Sequence, residues 1–292
     1  MNIKIISKYF LILSVLMSSS AFAENKKEFS ILAFGDIADC QKDREQGVKD
    51  IANIVKHQKF DFMIHLGDVA YPDATVEELN NCYGKYFNKY KSKIFPIAGN
   101  HEYNIEKGIP YFQFFTSNIE EIKKQENYEI VDNKGSFPKY YSFDKNGWSL
   151  IFLDSNLEKE EKAEQLVWFE KKLKDKKQCS VVSFHHPLIT SGVRPIKSIV
   201  KDFEPLLKQY PPTIVFNGHD HHYQESVKLD GTKHFLIGTG GTKIYKTVIP
   251  SNNVKNIAFE HGLLKLSLKE GAYTYSFLTK DKEQFSGEEF CN

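Results

Sequence analysis

The stretch FDFMIHLGDVAY, residues 60–71, runs from a short apolar segment directly into a group of polar side chains. The apolar segment is rich in Phe, Ile and Leu and stops at Gly67, which is typical of a buried strand. Asp68 and Tyr71 follow the stop. A carboxylate and a phenol at the end of a buried strand are candidate ligands for a transition metal.

The same pattern recurs at four other places along the chain. Each time a short apolar run precedes a polar cluster: FSILAF before Gly35-Asp36, IFPIA before Gly99-Asn100-His101, CSVVSF before His185-His186-Pro187, and TIVFN before Gly218-His219. In α/β sheets, ligands bind at the carboxyl ends of the strands. We therefore expect these polar clusters to meet in one site.

Helical patterns separate several of these runs. They cover residues 44–57, 163–177 and 197–210, and two hairpins over residues 140–154 and 262–278 add antiparallel strands. The alternation of strands and helices predicts an α/β fold in which helices cover the sheets. No repeat or low-complexity linker divides residues 24–292, so we expect a single domain.

The N-terminus has the features of a secretory signal peptide. Lys4 and Lys8 precede the apolar run YFLILSVLM, and Ala21-x-Ala23 matches a cleavage signal. This run is shorter than the roughly 20 residues that a membrane span needs. The sequence predicts a signal peptide over residues 1–23, no membrane span after its removal, and a periplasmic or secreted protein.

Charge and cysteine content narrow the possible partners and the compartment. The formal net charge of the 292 residues is +1, which indicates no basic face for nucleic acid, and no protein partner is implied. Three pairings of the four cysteines are possible, and free buried thiols are the alternative. In an oxidising compartment we favour Cys40–Cys82, between two loops that follow candidate ligands, and Cys179–Cys291, which would hold the C-terminus.

The polar clusters contain more ligands than one tetrahedral metal can use. Oxygen ligands mixed with imidazoles suit Zn²⁺, Mn²⁺ or iron, and the absence of thiolates argues against a zinc-finger type of site. Two metals that share a bridging carboxylate would use the set, and such pairs promote in-line displacement at phosphorus. The candidates are Asp36, Asp68, Tyr71, Asn100, His101, His185, His186, His219, His221 and His222.

Taken in chain order, the polar clusters form a set of five motifs that resembles the motifs of the metallophosphoesterases, also called calcineurin-like phosphoesterases. The motifs are Asp36, GDVAY (67–71), GNHE (99–102), FHHP (184–187) and GHDH (218–221). Tyr71 makes the chain similar to the purple acid phosphatase branch, and the wider motifs resemble exported bacterial phosphatases over most of residues 29–292. The resemblance implies a four-layer αββα fold, with two mixed β-sheets packed as a sandwich and flanked by helices.

The resemblance also implies a role for each motif residue. One metal, expected to be iron because of the phenolate, would be held by Asp36, Asp68, Tyr71 and His221. The second, Fe, Zn or Mn, would be held by Asp68 as the bridge and by Asn100, His185 and His219. His101 would face the substrate phosphate as the catalytic residue, and His186 would lie outside the ligand set.

These roles imply hydrolysis of a small phosphate monoester with a metal-bound hydroxide as the nucleophile. A phosphodiesterase or nucleotidase on the same metals is the alternative, and a degenerate metal-binding protein without activity is a third. Purple acid phosphatases often have another histidine after the H-x-P motif, which LITSGVRPIKS (188–198) lacks. The missing histidine leaves the leaving-group acid and the pH optimum open, and Arg194 is either a phosphate contact or a surface residue.

Several other polar residues are predicted to be structural or supporting. His65 lies inside an apolar run, so a place in the core is expected. Glu102 and Asp220 could orient imidazoles. The GTGG run at residues 238–241 lacks the signals of a phosphate-binding loop and is predicted to pass close to the metal site.

Overall fold

A computed structural model describes residues 28–193 and 197–291 of the chain. The predicted signal peptide and Arg194 lie outside the described residues. Among the described residues, no helix is both long enough and apolar enough to cross a membrane.

The described residues form sixteen strands and six α-helices. The strands are β1 (Phe29–Phe34), β2 (Ala38–Asp39), β3 (Phe62–Leu66), β4 (Ala70–Tyr71), β5 (Ile94–Ile97), β6 (Glu126–Ile130), β7 (Tyr141–Lys145), β8 (Trp148–Phe152), β9 (Cys179–Ser183), β10 (Ile214–Asn217), β11 (Tyr223–Ser226), β12 (Lys233–Ile237), β13 (Val254–Ala258), β14 (Gly262–Lys269), β15 (Ala272–Thr279) and β16 (Glu283–Phe290). The helices are α1 (Gln46–Lys56), α2 (Gly84–Phe87), α3 (Ile109–Phe114), α4 (Ile119–Lys123), α5 (Lys159–Asp175) and α6 (Ser198–Gln209).

Fourteen of the strands form two mixed sheets, as predicted. The six-stranded sheet has the order β16-β15-β14-β1-β3-β5, and the eight-stranded sheet has the order β13-β11-β12-β10-β9-β8-β7-β6. In the first sheet β1, β3 and β5 are parallel, and in the second β8, β9, β10 and β12 are parallel. Antiparallel strands extend both sheets. The remaining strands, β2 and β4, form a small parallel pair beside the site.

The two sheets pack face to face through aromatic side chains. Phe62 of β3 contacts Phe143 of β7 with ring centroids 6.1 Å apart, and Tyr223 of β11 stacks on Phe277 of β15 at 4.0 Å. Large buried rings of this kind dominate the energetics of a core. The sandwich therefore has one continuous apolar core, and residues from both sheets contribute to it.

Helices cover the sandwich because each presents an apolar stripe at helical spacing. Val48, Ile51 and Val55 of α1 are buried in the core, and α1 contacts β14 and β15. On the eight-stranded sheet, Phe169 of α5 and Phe203 of α6 form a second apolar cluster with side chains of the sheet. The three predicted helices and both predicted hairpins are confirmed.

Both predicted disulfides are present. Cys40 and Cys82 have Cα atoms 5.6 Å apart, and Cys179 and Cys291 have Cα atoms 5.1 Å apart. The first joins the loop after β2 to a π-helical turn at Glu78–Tyr83. The second attaches the end of the chain to the start of β9, so it closes a loop of 112 residues. Closing a long loop limits the conformations of the unfolded chain.

Candidate metal centre

The polar clusters meet at one edge of the sandwich, as the sequence predicts. β1, β3 and β5 point their carboxyl ends at this edge from the six-stranded sheet, and β9 and β10 do so from the eight-stranded sheet. Backbone hydrogen bonds join loops of the two sheets, with Gly35 N donating to Ile237 O at 2.9 Å and Gly240 N to Gly35 O at 2.8 Å. Side chains from both sheets therefore share one site.

A first group of four candidate ligands consists of Tyr71 and three side chains around its hydroxyl. The Tyr71 hydroxyl oxygen lies 2.7 Å from Asp36 Oδ1, 3.0 Å from Asp68 Oδ2 and 3.1 Å from His221 Nε2. His221 Nε2 also lies 3.2 Å from Asp36 Oδ1. All four side chains are buried. Two carboxylates, a phenol and an imidazole at these separations form a compact ligand set for one cation.

A second group extends from the same Asp68 carboxylate. Asp68 Oδ2 lies 3.3 Å from His185 Nε2, and the ligand atoms of Asp36, Asp68 and His185 all lie within 4.8 Å of one another. Asn100 Oδ1 and His185 Nε2 are buried and form no hydrogen bond with any described residue. Burying such atoms without partners costs about 1–3 kcal/mol each. A second cation beside Asp68 would satisfy both.

Hydrogen bonds to carbonyl groups fix the two histidines that face Asp68 and Asp36. His185 Nδ1 lies 2.6 Å from Leu66 O, and His221 Nδ1 lies 2.8 Å from Lys243 O. Because a carbonyl oxygen only accepts, each Nδ1 carries the hydrogen of this bond, and each Nε2 is the nitrogen that faces the cluster. This is the usual arrangement of histidine ligands.

The local backbone requires unusual conformations and close packing. Asp36 and Asp68 have φ values of 60° and 50°, in the left-handed region that aspartate tolerates better than most residues. A Cβ on Gly99 would lie 2.1 Å from Asp68 Oδ1, and one on Gly238 would lie 3.0 Å from Asp36 Oδ2. The glycine-rich run at residues 238–241 does pass close to the site, as predicted.

Burial and neighbouring charges shift the acid–base properties of the site. Burial would raise the pKa of both aspartates, but His221 lowers the pKa of Asp36 and His185 lowers that of Asp68. Burial and the two carboxylates raise the pKa of Tyr71 well above its usual value. Burial would lower the pKa of His185, but Asp68, Asp36 and the Leu66 carbonyl together raise it to about 9. Two ionised carboxylates therefore lie at the centre of the site.

His101 lies at the rim of the site, with about a quarter of its side chain exposed. Its Nδ1 donates to Pro72 O at 2.5 Å, and its ring packs over Tyr71 with centroids 4.4 Å apart. Nε2 lies 3.9 Å from Asp68 Oδ2. One ring nitrogen is thus fixed, and the other faces the region above the shared carboxylate.

Glu102 supports the ligand loops through their backbone. Its carboxylate accepts hydrogen bonds from the N–H groups of Asp68 at 2.8 Å, Val69 at 2.8 Å and Gly99 at 2.6 Å. Burial, reinforced by Asp68, raises the pKa of Glu102 to about 8. Our expectation that Glu102 orients an imidazole is therefore wrong, because its partners are backbone amides. Asp220 accepts a hydrogen bond from Thr190 Oγ1 at 2.5 Å.

Sequence reasoning missed a second support behind the Asn100 loop. Asn156 donates to Gly99 O at 3.1 Å and to Asp154 Oδ1 at 2.9 Å, and Tyr103 donates to Asp154 Oδ2 at 2.5 Å. Burial raises the pKa of Asp154 to about 6. Asp154 and Asn156 follow β8 at the same edge of the sheet, which is the signal that could have identified them.

Two further histidines near the site, His65 and His222, are buried. His65 is fully buried and lies 2.9 Å from the Tyr83 hydroxyl, so its predicted place in the core is confirmed. His222 is buried with its ring 6.1 Å from that of Phe259. Tyr245 stacks on His221 at 4.5 Å with an interplanar angle of 10° and covers one side of the first group.

The fold and the site together define a class: α/β sandwich proteins with a candidate two-cation centre at the shared edge of their sheets. The chain belongs to the calcineurin-like phosphoesterase family, whose model matches residues 29–223. The matched range contains every predicted ligand and His101.

Individual proteins agree with this assignment. The chain is 26% identical to purple acid phosphatase 15 of Arabidopsis thaliana over 225 residues, which cover 64% of this chain and 41% of that protein. The chain spans about half or less of the length of the curated relatives it matches.

Two solved structures share the fold at lower identity. Purple acid phosphatase PPD1 from yellow lupin (Lupinus luteus) seeds matches with a TM-score of 0.67 and 16% identity, over 90% of this chain and 54% of that chain. GAP50, described as the anchor in the inner membrane complex of Plasmodium, matches with a TM-score of 0.65 and 15% identity, over 91% of this chain and 89% of that chain.

Proposed function

We propose that the protein is a phosphatase that hydrolyses phosphate monoesters at a centre of two cations. The observation that carries the proposal is the shared carboxylate. Asp68 Oδ2 lies 3.0 Å from the Tyr71 hydroxyl of one ligand group and 3.3 Å from His185 Nε2 of the other. The similarity to a purple acid phosphatase supports phosphate monoesters as the substrates.

The ligand residues divide between the two cations. Asp36, Tyr71 and His221 would hold one, Asn100, His185 and His219 would hold the other, and Asp68 would contribute to both. The phenol favours iron in the first position, with Fe, Zn or Mn in the second. When bound, such a pair neutralises the charge of a phosphate and lowers the pKa of a bound water.

His101 is proposed as the residue that donates a proton to the leaving oxygen. Its Nδ1 is held by Pro72 O, so the imidazole can exchange a proton only through Nε2. That nitrogen faces the region above Asp68, where an ester oxygen would lie. General-acid assistance of this kind contributes typically about 10²–10⁴-fold to the rate.

The surroundings of the site suit a small polar ester in an exported protein. A polar cleft of about 460 Å³ opens beside Asn100, and its charged lining residues are Lys107, Lys139, Lys197, Glu158 and Glu161. The two disulfides support a periplasmic or secreted location. The continuous core shared by both sheets supports the predicted single domain for the described residues 28–193 and 197–291.

A comparison of p-nitrophenyl phosphate with bis-p-nitrophenyl phosphate tests the proposed reaction. We expect kcat/KM to be about 100-fold or more higher for the monoester, a difference of about 2.7 kcal/mol in transition-state stabilisation. Turnover of the diester alone would reject the monoesterase in favour of a phosphodiesterase. No turnover of either substrate or of nucleotides by the metal-loaded, disulfide-intact protein would indicate a metal-binding protein without activity.

A further inference from the structure

We propose that His186 is an additional ligand of the second cation, beside Asn100, His185 and His219. The sequence motifs place this residue outside the ligand set. The proposal rests on the proposed function only in that it takes a cation to bind beside Asp68. With His186, the second site would have three imidazole ligands, one more than the sequence motifs imply.

The three histidines form a compact group. His185, His186 and His219 each offer a ring nitrogen, and these atoms all lie within 4.8 Å of one another. The ring of His186 lies 4.5 Å from that of His219 and 5.0 Å from that of His185, measured between centroids. Zn–N distances of about 2.1 Å require ligand atoms roughly 3–4 Å apart. Side-chain movements of about an ångström would therefore bring all three to one ion.

The hydrogen bonds of His186 leave one nitrogen for such an ion. Nδ1 lies 2.8 Å from Ser155 Oγ, and the backbone N–H of His186 donates to the same oxygen at 3.1 Å. Nε2 is buried and has no hydrogen-bond partner in the described part of the chain. Burying a polar nitrogen in this way costs free energy that a cation would recover. His185 and His221 also have Nδ1 bonded to an oxygen, and their Nε2 atoms face the site carboxylates.

His222 provides a matched comparison within the same site. Like His186 it directly follows a predicted ligand, is buried, and has an Nε2 atom without a hydrogen-bond partner among the described residues. Unlike His186, it belongs to neither of the groups of potential ligands found there. Its ring lies near Phe259 instead. A buried histidine that follows a predicted ligand is therefore not always close to the other potential ligands.

A third imidazole would change the metal preference of the second site. The ligand set would be three imidazoles, the Asn100 amide oxygen and the shared Asp68 carboxylate. Imidazole-rich sets favour Zn²⁺ over Mn²⁺, because Mn²⁺ is better suited by oxygen ligands. We therefore expect the second site to prefer zinc, and to lose part of that preference when His186 is replaced.

Zinc affinity measured by competition with a chromophoric chelator tests the proposal without relying on turnover. We expect His186→Gln to weaken binding of one of two zinc ions by about 10–100-fold, at least the loss seen when a ligand's supporting residue is removed. His222→Gln should leave both affinities unchanged. A folded His186→Gln protein that binds both zinc ions within about twofold of the unsubstituted protein would overturn the proposal.

A second measurement on the unsubstituted protein covers the case in which His186→Gln does not fold. With ¹⁵N-labelled histidine and saturating zinc, we expect four imidazoles to show metal-bound nitrogen shifts: those of His185, His186, His219 and His221. Three shifted imidazoles would overturn the inference while leaving the two-cation centre intact. Failure to bind any zinc would overturn both this inference and the proposed function.

Discussion

Replacing Asp68 with alanine is expected to abolish binding of both cations and nearly all turnover. One Asp68 oxygen lies within 3.3 Å of a ligand atom from each group, so this carboxylate lies between the two positions. Bound metals contribute several kcal/mol of transition-state stabilisation, and each 1.4 kcal/mol corresponds to tenfold in rate. We therefore expect kcat to fall by about 10³-fold or more, measured together with the metal content.

Asp39→Ala is the matched control for this variant. Asp39 is also a buried aspartate, and it pairs with Tyr71 in the small parallel sheet, but its carboxylate contacts Gln41 and Arg44 instead of the candidate ligands. The metal content of the Asp39→Ala variant should match that of the unsubstituted protein. Full occupancy of both metals in folded Asp68→Ala would reject the bridging role, and loss of only one would make Asp68 a ligand of a single ion.

Replacing His101 with alanine is expected to lower turnover by about 10²–10⁴-fold while both cations remain bound. The imidazole reaches the site only through Nε2, which lies 3.9 Å from Asp68, beyond hydrogen-bond distance. If it protonates the leaving oxygen, the loss should be larger for an alkyl phosphate than for p-nitrophenyl phosphate. The reason is that an alkoxide needs a proton to leave far more than p-nitrophenolate does.

The substrate comparison and the metal content together distinguish three roles for His101: proton donor, phosphate-positioning residue and metal ligand. His57→Ala serves as the control, since His57 is an exposed histidine whose Nδ1 bonds to Asn53 O at the end of α1. Equal losses for both substrates would show that His101 positions the phosphate without donating a proton. Loss of metal in His101→Ala would instead make it a ligand and contradict the proposed role.

The sequence was most informative where local order determines position. Each of the five apolar runs that lead to the site is followed by a glycine or a histidine pair, and parallel strands bring their carboxyl ends together. The positions of Asp36, Asp68 and Asn100 at one edge therefore follow from the alternation of apolar runs and helices. The hairpin at Asn146-Gly147 and both disulfides also agree with the structure, because they depend on turn chemistry and on an even number of cysteines in an oxidising compartment.

The sequence was least informative where two neighbouring residues compete for one role. His185 and His186 both follow β9, and only the packed structure shows that both rings approach His219. The prediction for Glu102 is wrong for a related reason. A carboxylate that lies beside histidines in the sequence suggests a hydrogen bond to an imidazole. In the fold, the left-handed turn at Asp68 exposes backbone N–H groups that need an acceptor, and Glu102 supplies it.

The most direct test of the two-cation centre is elemental analysis of the natively purified protein together with its visible spectrum. We expect two transition-metal ions per chain, at least one of them iron, and an absorption band from charge transfer between the Tyr71 phenolate and ferric iron. An active protein that contains one metal ion or none would contradict the central claim. Two metal ions without a tyrosinate band would retain the centre but reject ferric iron at Tyr71.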